Sequence, residues 1–127
     1  LGYSALAITD HDNLCGAMEF ARVATGLGTR PVTGAEITLK DGSHLTLLAE
    51  TRKGYANLCN LVTYSRVGGD RLEPKLDPSF LPHHAEGLIL LTGCSRGRVS
   101  GLLTGAGSAA VSNRKTVMAA ESRVEEA

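Results

Sequence analysis

The stretch TGAEITLKDGSHLTLLAE, residues 33–50, contains two apolar runs separated by a turn signal. Asp41 and Gly42 lie between the apolar flanks, and an Asp-Gly pair favours the tight turn of a β-hairpin. Residues 30–39 before the turn indicate one strand, and residues 44–50 after it indicate the next. The stretch therefore predicts a hairpin near the middle of the chain.

A strand and a helix are predicted upstream of this hairpin. Ser4–Thr9 is mostly apolar, as expected of a strand buried on both faces. Asp12 or Asn13 can cap the helix that follows, and Gly26 and Gly28 end its pattern. The apolar positions that recur at helical spacing are Leu14, Ala17, Met18 and Ala21.

A second helix and a fourth strand are predicted downstream. Thr51 can cap the helix, whose apolar face carries Tyr55, Leu58, Cys59 and Val62. Residues 66–86 are rich in Gly and Pro and indicate a loop with one short helical turn. GLILLTGC, residues 87–94, is nearly all apolar, which favours a central strand, and Ser95 can cap another short helix. This alternation of strands and helices predicts an α/β fold.

The composition excludes several classes of protein. The chain has 127 residues, a formal net charge of zero and 43% hydrophobic residues, which suits one small domain or part of a larger protein. A neutral chain has no general electrostatic attraction for nucleic acid. Three cysteines without a close pair argue against a disulfide framework and for a reducing, cytoplasmic setting. No apolar run is long enough to cross a bilayer, and no signal peptide is visible.

Side chains that can bind a metal ion lie at the ends of the predicted strands, where α/β folds collect their functional residues. They offer imidazole, carboxylate and thiolate groups, a ligand set that suits zinc and related divalent ions. The four candidates are His11, Glu36, His44 and Cys94. Each has an ordinary alternative: a histidine or carboxylate can be a solvated surface group, and a free cysteine can be a small buried residue. Cys15 and Cys59 fall on apolar helix faces and are assigned to packing.

Two further polar groups carry weaker indications. Arg96 and Arg98 in CSRGRV could bind phosphate at a helix N-terminus. The alternative that both are simply exposed is favoured, because no Gly-rich phosphate loop accompanies them. His83 and His84 lie in a Pro-flanked loop without ligand spacing and are expected to be solvated.

LGYSALAITDHDNLCGAMEFARVA, residues 1–24, resembles the segment around the second metal-binding motif of the PHP (polymerase and histidinol phosphatase) domain. Residues 34–66 and 84–103 resemble the N-terminal PHP region of bacterial C-family DNA polymerase alpha chains. The sequence DGSHLTLLAETRKGYANLC, residues 41–59, is most similar to the error-prone subtype, which accompanies damage-induced synthesis. The resemblance extends from residue 1 to about residue 106 and ends before the Ala-, Ser- and Glu-rich tail at 107–127.

This resemblance implies a distorted (β/α)7 barrel, of which the chain holds an incomplete part. It also implies a cluster of divalent ions, Zn or Mn, at the carboxyl ends of the strands. Carried over residue by residue, it makes His11, Glu36, His44 and Cys94 metal ligands and gives Asp10 a supporting role in which it orients His11 or a neighbour. Asp12 is left as a helix cap. The family's first motif, His-x-His, would lie before Leu1, and its last motif, Asp-x-His, beyond the end of the chain.

The function implied is that of an N-terminal PHP fragment of an error-prone DNA polymerase, itself inactive. DNA, dNTPs and polymerase accessory proteins would be bound through the rest of the parent. The PHP chemistry is metal-assisted phosphoester hydrolysis. One alternative is a stand-alone PHP phosphoesterase resembling histidinol phosphatase, and another is a non-catalytic structural module. The polymerase-like stretch at 44–59 favours the first interpretation.

Overall fold

The computed structural model of the chain describes residues 2–67, 72–93 and 97–99. These residues form a mixed four-stranded sheet with two α-helices and one 3₁₀ helix. The elements in chain order are β1 (Ala5–His11), α1 (Ala17–Gly26), β2 (Arg30–Thr38), β3 (His44–Ala49), α2 (Arg52–Val67), the 3₁₀ helix (Pro78–His83) and β4 (Leu88–Leu91).

The strand order in the sheet is β1-β2-β3-β4. β1 and β2 are parallel and are joined by α1 in a βαβ crossover, whereas β3 is antiparallel to both β2 and β4. The predicted hairpin is confirmed: β2 and β3 pair directly, and Gly42 takes the positive φ of 80° that the turn requires. The α/β class is therefore confirmed, while a closed barrel is not seen in the described residues.

Alternation along β2 and β3 separates two faces. Ala35, Ile37 and Leu39 are completely buried, and the side chains between them point to the other face because strand side chains alternate. The buried face of the hairpin packs against α2 through Leu58 and Leu61. Burying one such leucine stabilises the fold by about 1.5–3 kcal/mol relative to its exposure.

The two outer strands of the described sheet are more exposed than their apolar sequences predict. Leu6 of β1 is 50% exposed, and Ile89 and Leu91 of β4 are 43% and 42% exposed. β4 therefore does not occupy a central position in the described part of the sheet. An apolar run indicates that a strand tends to be buried, but it does not show whether the strand lies at the centre or at the edge of the sheet.

The two helices differ in how well their starts were predicted. Thr51 caps α2 as predicted, since its Oγ1 accepts a hydrogen bond from the Gly54 N–H at 3.0 Å. α1 begins only at Ala17, and neither Asp12 nor Asn13 caps it. The assignment of Asp12 as a helix cap was wrong because its buried carboxylate is bonded to Thr38 instead.

Packing of α1 also departs from the predicted apolar face. The helix buries Ala17 and Ala24, whereas Met18 is 80% exposed. Cys15, assigned to packing, is exposed, and Cys59 on α2 is intermediate. Helical spacing identifies an amphipathic segment, but it does not specify which of its residues reach the sheet.

The start of α2 lies very close to the turn before β4. A Cβ atom added at Gly54 would lie 1.7 Å from the carbonyl oxygen of Gly87, so only glycine fits. Gly87 itself has a φ of +72° and accepts a hydrogen bond from the Glu50 N–H at 2.9 Å. This contact joins α2, the end of β3 and the start of β4.

The predicted loop at 66–86 contains one short helix, as expected. Asp77 caps this 3₁₀ helix by accepting a hydrogen bond from the Ser79 N–H at 2.9 Å. Phe80 stacks on Tyr64 of α2 with ring centroids 4.6 Å apart, which attaches the loop to the helix. The predicted cap Ser95 and the tail at 107–127 lie outside the described residues.

Candidate metal centre

Three of the predicted ligands meet at one end of the sheet. His11 is the last residue of β1 and lies opposite Glu36 in the parallel register of β1 and β2. His44 is the first residue of β3 and lies opposite Thr38, two residues after Glu36 on the same face of β2. One ligand atom from each of His11, Glu36 and His44 lies within 4.8 Å of the others.

The distances within this cluster centre on the Glu36 carboxylate. Glu36 Oε1 lies 2.7 Å from His44 Nδ1 and 3.8 Å from His11 Nδ1. The two imidazole rings meet edge to face, with centroids 4.8 Å apart. Three nitrogen and oxygen donors therefore converge on a small volume, as the ligands of a divalent ion do.

The environment of His44 tests whether a cation fits. Its Nδ1 atom is buried and makes no hydrogen bond to the described residues. The 2.7 Å contact to Glu36 Oε1 has the length of a hydrogen bond but not its direction. Two such atoms that lie close together without a hydrogen bond between them can share a cation, and imidazole with carboxylate suits Zn²⁺ or Mn²⁺.

A second layer of hydrogen bonds supports the cluster. Asp12, with 5% exposure, accepts hydrogen bonds from the Thr38 N–H at 2.7 Å and from the Thr38 hydroxyl at 2.6 Å. Thr38 Oγ1 in turn lies 3.1 Å from His11 Nε2. Ligand orientation by such neighbours is typical of protein metal sites.

Asp10 contacts the helix and not the cluster. Its Oδ2 atom accepts a hydrogen bond from the Gly16 N–H at 2.8 Å, just before α1. In the described part of the chain no hydrogen bond joins Asp10 to His11. Among the described residues Asp12 and Thr38 lie beside His11 Nε2, and the supporting role assigned to Asp10 stays a prediction.

The cluster opens into a cleft of about 570 Å³. Arg66, near the end of α2, lies on its wall and donates a hydrogen bond to the Asp12 carbonyl at 2.6 Å. The residues lining the cleft are His11, Asp12, Thr38, His44, Arg66, Leu72, Glu73, Pro74 and Lys75. The wall therefore combines two of the candidate ligands, His11 and His44, with two cationic side chains.

Comparison with known proteins identifies the family. Residues 1–126 match the family of the PHP domain. The chain belongs to the PHP domain family. The ligand positions were therefore predicted from the family to which this chain belongs. Three of these predicted ligands lie close together in the structure.

The most similar relatives include DNA polymerases. The chain is 44% identical to the error-prone DNA polymerase of Symbiobacterium thermophilum over 118 residues, which cover 80% of this chain and 11% of that protein. It is 41% identical to the DNA polymerase III subunit alpha of Thermus aquaticus (71% and 9% covered) and 38% identical to the error-prone DNA polymerase of Mycobacterium bovis (87% and 11% covered). The chain spans about a tenth of the length of these relatives.

Of the remaining predicted residues of this PHP chain, Arg98 lies away from the cleft lining. It forms an ion pair with Asp41 in the hairpin turn, so its charge is already matched. Burial raises the pKa of the Asp41 carboxyl, but hydrogen bonds from the hydroxyl and N–H of Ser43 and the nearby Arg98 charge outweigh this effect. The pKa therefore lies below its ordinary value of 3.8.

Cys94 and Arg96 lie outside the described residues, and their roles stay predictions. Gly97 pairs with His44 in an isolated parallel bridge. Gly97, three residues after Cys94, is therefore adjacent to the cluster.

Sequence reasoning did not identify Thr38 or Arg66 as part of the site. The available signal for Thr38 was its position two residues after Glu36, on the same face of the strand. Arg66 had no comparable signal, because it reaches Asp12 only through the packing of α2.

Proposed function

We propose that this chain is part of the PHP domain of an error-prone bacterial DNA polymerase and contributes His11, Glu36 and His44 to a divalent metal site. The convergence of these three donors carries the proposal. The relatives are named as DNA polymerases, which supports the proposal that the parent is a polymerase and gives no support to a stand-alone phosphoesterase.

The reaction class we propose for the complete domain is phosphoester hydrolysis. A divalent ion held by the three residues supplies Lewis acidity toward a phosphate oxygen. Arg66 on the cleft wall, which donates to the Asp12 carbonyl, offers positive charge to a phosphodiester, whereas the charge of Lys75 is matched by Glu73 at 3.4 Å. From the three ligands and the open sheet of the described residues, we infer that this chain alone lacks hydrolase activity.

In the parent protein we place the described sheet within a distorted (β/α)7 barrel. In this proposal the rest of the parent chain binds the DNA and dNTP substrates and the accessory proteins, and the parent protein is cytoplasmic. Within the described residues, no helix is both long enough and apolar enough to cross a membrane.

Metal titration of the purified 127-residue chain tests the proposed site. Calorimetry with Zn²⁺ and with Mn²⁺ should detect weak binding that His11→Ala weakens further. His83→Ala is the matched control, because His83 is exposed in the 3₁₀ helix away from the cleft. Tight binding that His11→Ala leaves unchanged, or an equal loss in the control, would show that these are not the ligands.

Sequencing the gene on both sides of this region tests the parent. The length of the relatives predicts a long polymerase region downstream, and the PHP resemblance predicts a His-x-His motif upstream. A gene that supplies the missing barrel motifs without a polymerase region would contradict the polymerase assignment.

A further inference from the structure

The hydrogen bonds around His11 set the direction of its imidazole. We propose that Asp12 and Thr38 hold His11 as the tautomer protonated on Nε2, so that Nδ1 is its ligand atom. This inference rests on the proposed metal site for the role of Nδ1, but the tautomer itself is a property of the metal-free chain. Asp12 and Thr38 are positioning residues, since they act through His11.

The argument begins at the Asp12 carboxylate, which is an acceptor. The Thr38 N–H donates to its Oδ1 at 2.7 Å, and the Thr38 hydroxyl donates to its Oδ2 at 2.6 Å. A hydroxyl has one hydrogen, so Thr38 Oγ1 can only accept from its other polar neighbour. That neighbour is His11 Nε2 at 3.1 Å, which must therefore carry a proton.

Both polar atoms that the described residues place near His11 Nε2 are acceptors. Besides Thr38 Oγ1, Asp12 Oδ2 lies 3.4 Å from the same nitrogen. A neutral imidazole protonated on Nε2 has an unprotonated Nδ1. His11 Nδ1 is the nitrogen that faces Glu36 Oε1, so the lone pair points into the ligand cluster.

The backbone at Asp12 is held in an uncommon conformation that makes this arrangement possible. Asp12 has a φ of +54°, the left-handed region that residues other than glycine adopt at a cost of about 1 kcal/mol or more. Its N–H donates to the Glu36 carbonyl at 2.8 Å, and its own carbonyl accepts from Arg66 at 2.6 Å. These bonds offset the strain and turn the carboxylate back toward β2.

Nitrogen-15 NMR of the metal-free chain measures the tautomer directly. At about pH 8.5, where an ordinary imidazole is neutral, the two-bond correlations of the His11 ring should report a proton on Nε2. Thr38→Val keeps the shape of the side chain but removes the hydroxyl and should shift the ring toward a mixture of tautomers. Thr38→Ser keeps the hydroxyl and should restore the wild-type spectrum.

Asp12→Asn is the sharper variant, because asparagine tolerates a positive φ. When the amide oxygen of the new side chain accepts the hydrogen bond from the Thr38 N–H, its NH₂ group lies next to the Thr38 hydroxyl and donates a hydrogen bond to it. The hydroxyl must then donate to His11 Nε2, so the preferred tautomer reverses to Nδ1–H. A merely structural role of Asp12 predicts no such reversal.

Zn²⁺ titration of the same proteins connects the tautomer to binding. Thr38→Val should weaken Zn²⁺ binding by roughly tenfold, because the loss of a residue that orients a metal ligand typically has an effect of this size. Thr38→Ser should bind Zn²⁺ nearly as tightly as the wild type. A proton on Nδ1 in the wild-type chain, or an unchanged tautomer in both Thr38→Val and Asp12→Asn, would overturn the inference.

The two proposals fail in different ways. A wild-type chain that binds no Zn²⁺ but carries the His11 proton on Nε2 would overturn the metal site and leave the tautomer assignment standing. A wild-type chain that binds Zn²⁺ with the proton on Nδ1 would leave the metal site standing and overturn the assignment.

Discussion

The two faces of the β2–β3 hairpin are built from alternating residues of the same strands, yet their side chains have opposite surroundings. On one face Ala35, Ile37 and Leu39 are fully buried in the core with α2. On the other face Glu36, Thr38 and His44 are only partly buried and contact polar groups. The comparison teaches that neighbouring residues can serve stability and chemistry separately, because each strand side chain belongs to one face.

Ile37→Ala should give the largest effect on stability. Ile37 has no exposed surface, and truncation of such a residue lowers the free energy of unfolding by about 2–5 kcal/mol. Urea denaturation measures the loss, and Met18→Ala, at a residue 80% exposed, should stay within about 0.5 kcal/mol of wild type. Equal losses in the two variants would contradict the core assignment.

Glu36→Gln tests the adjacent residue on the opposite face. The substitution keeps the shape but removes the charge at the centre of the cluster, so the affinity for Zn²⁺ should fall by at least roughly 10- to 100-fold. The unfolding free energy should change much less than in Ile37→Ala. Calorimetric titration measures the affinity, with the exposed Glu50→Gln as the matched control; an unchanged affinity would remove Glu36 from the ligand set.

Asp10→Ala separates helix capping from metal support. The carboxylate bonds to the Gly16 N–H, so its loss should lower the unfolding free energy by about 1 kcal/mol. Zn²⁺ affinity should remain within about twofold of wild type, because Asp10 bonds to the start of the helix and not to the cluster. Loss of a residue that orients a metal ligand usually lowers the affinity by more than this. Asp10→Asn retains an acceptor oxygen and should recover most of the stability. A large loss of metal affinity would instead support the role that the resemblance assigned to Asp10.

Acidification should produce the smallest effect, at the solvent-exposed end of the hairpin. A hydrogen bond from Lys40 and another from the Ser79 N–H hold the pKa of Asp77 well below its ordinary value of 3.8. A lowered folded-state pKa stabilises the fold above the unfolded value, and this contribution is lost as the pH falls through the folded value.

Lys40→Met removes the main partner of Asp77 and should therefore lower the melting temperature slightly at about pH 6, with a difference that shrinks as the pH falls below about 4 toward the lowered folded-state pKa of Asp77. Thermal unfolding by circular dichroism across this range measures it. Lys53→Met, at an exposed residue of α2, is the control and should show no such convergence. A difference that grows on acidification would contradict the sign.

The sequence was most informative where the signal is local. The Asp41-Gly42 turn, the alternation of β2 and β3 and the Thr51 cap depend on residues close together in the chain, and all three are confirmed. The start of α1 and the exposure of β4 were predicted less well, because both depend on which distant element lies beside them. The resemblance located candidate ligands along the chain, but not their neighbours in space.

By itself, the sequence determined the α/β class, the hairpin and which side chains share a face, because periodicity and turn chemistry act over a few residues. Only the tertiary structure decided that Asp12 turns back to Thr38, that Asp10 serves α1, and that Arg66 reaches the Asp12 carbonyl. The contacts of Asp12 with Thr38 and Arg66 join residues far apart in the chain, and the contact of Asp10 with Gly16, six residues on, depends on where α1 begins. Their distances depend on strand register and helix packing, which no local pattern of residues specifies.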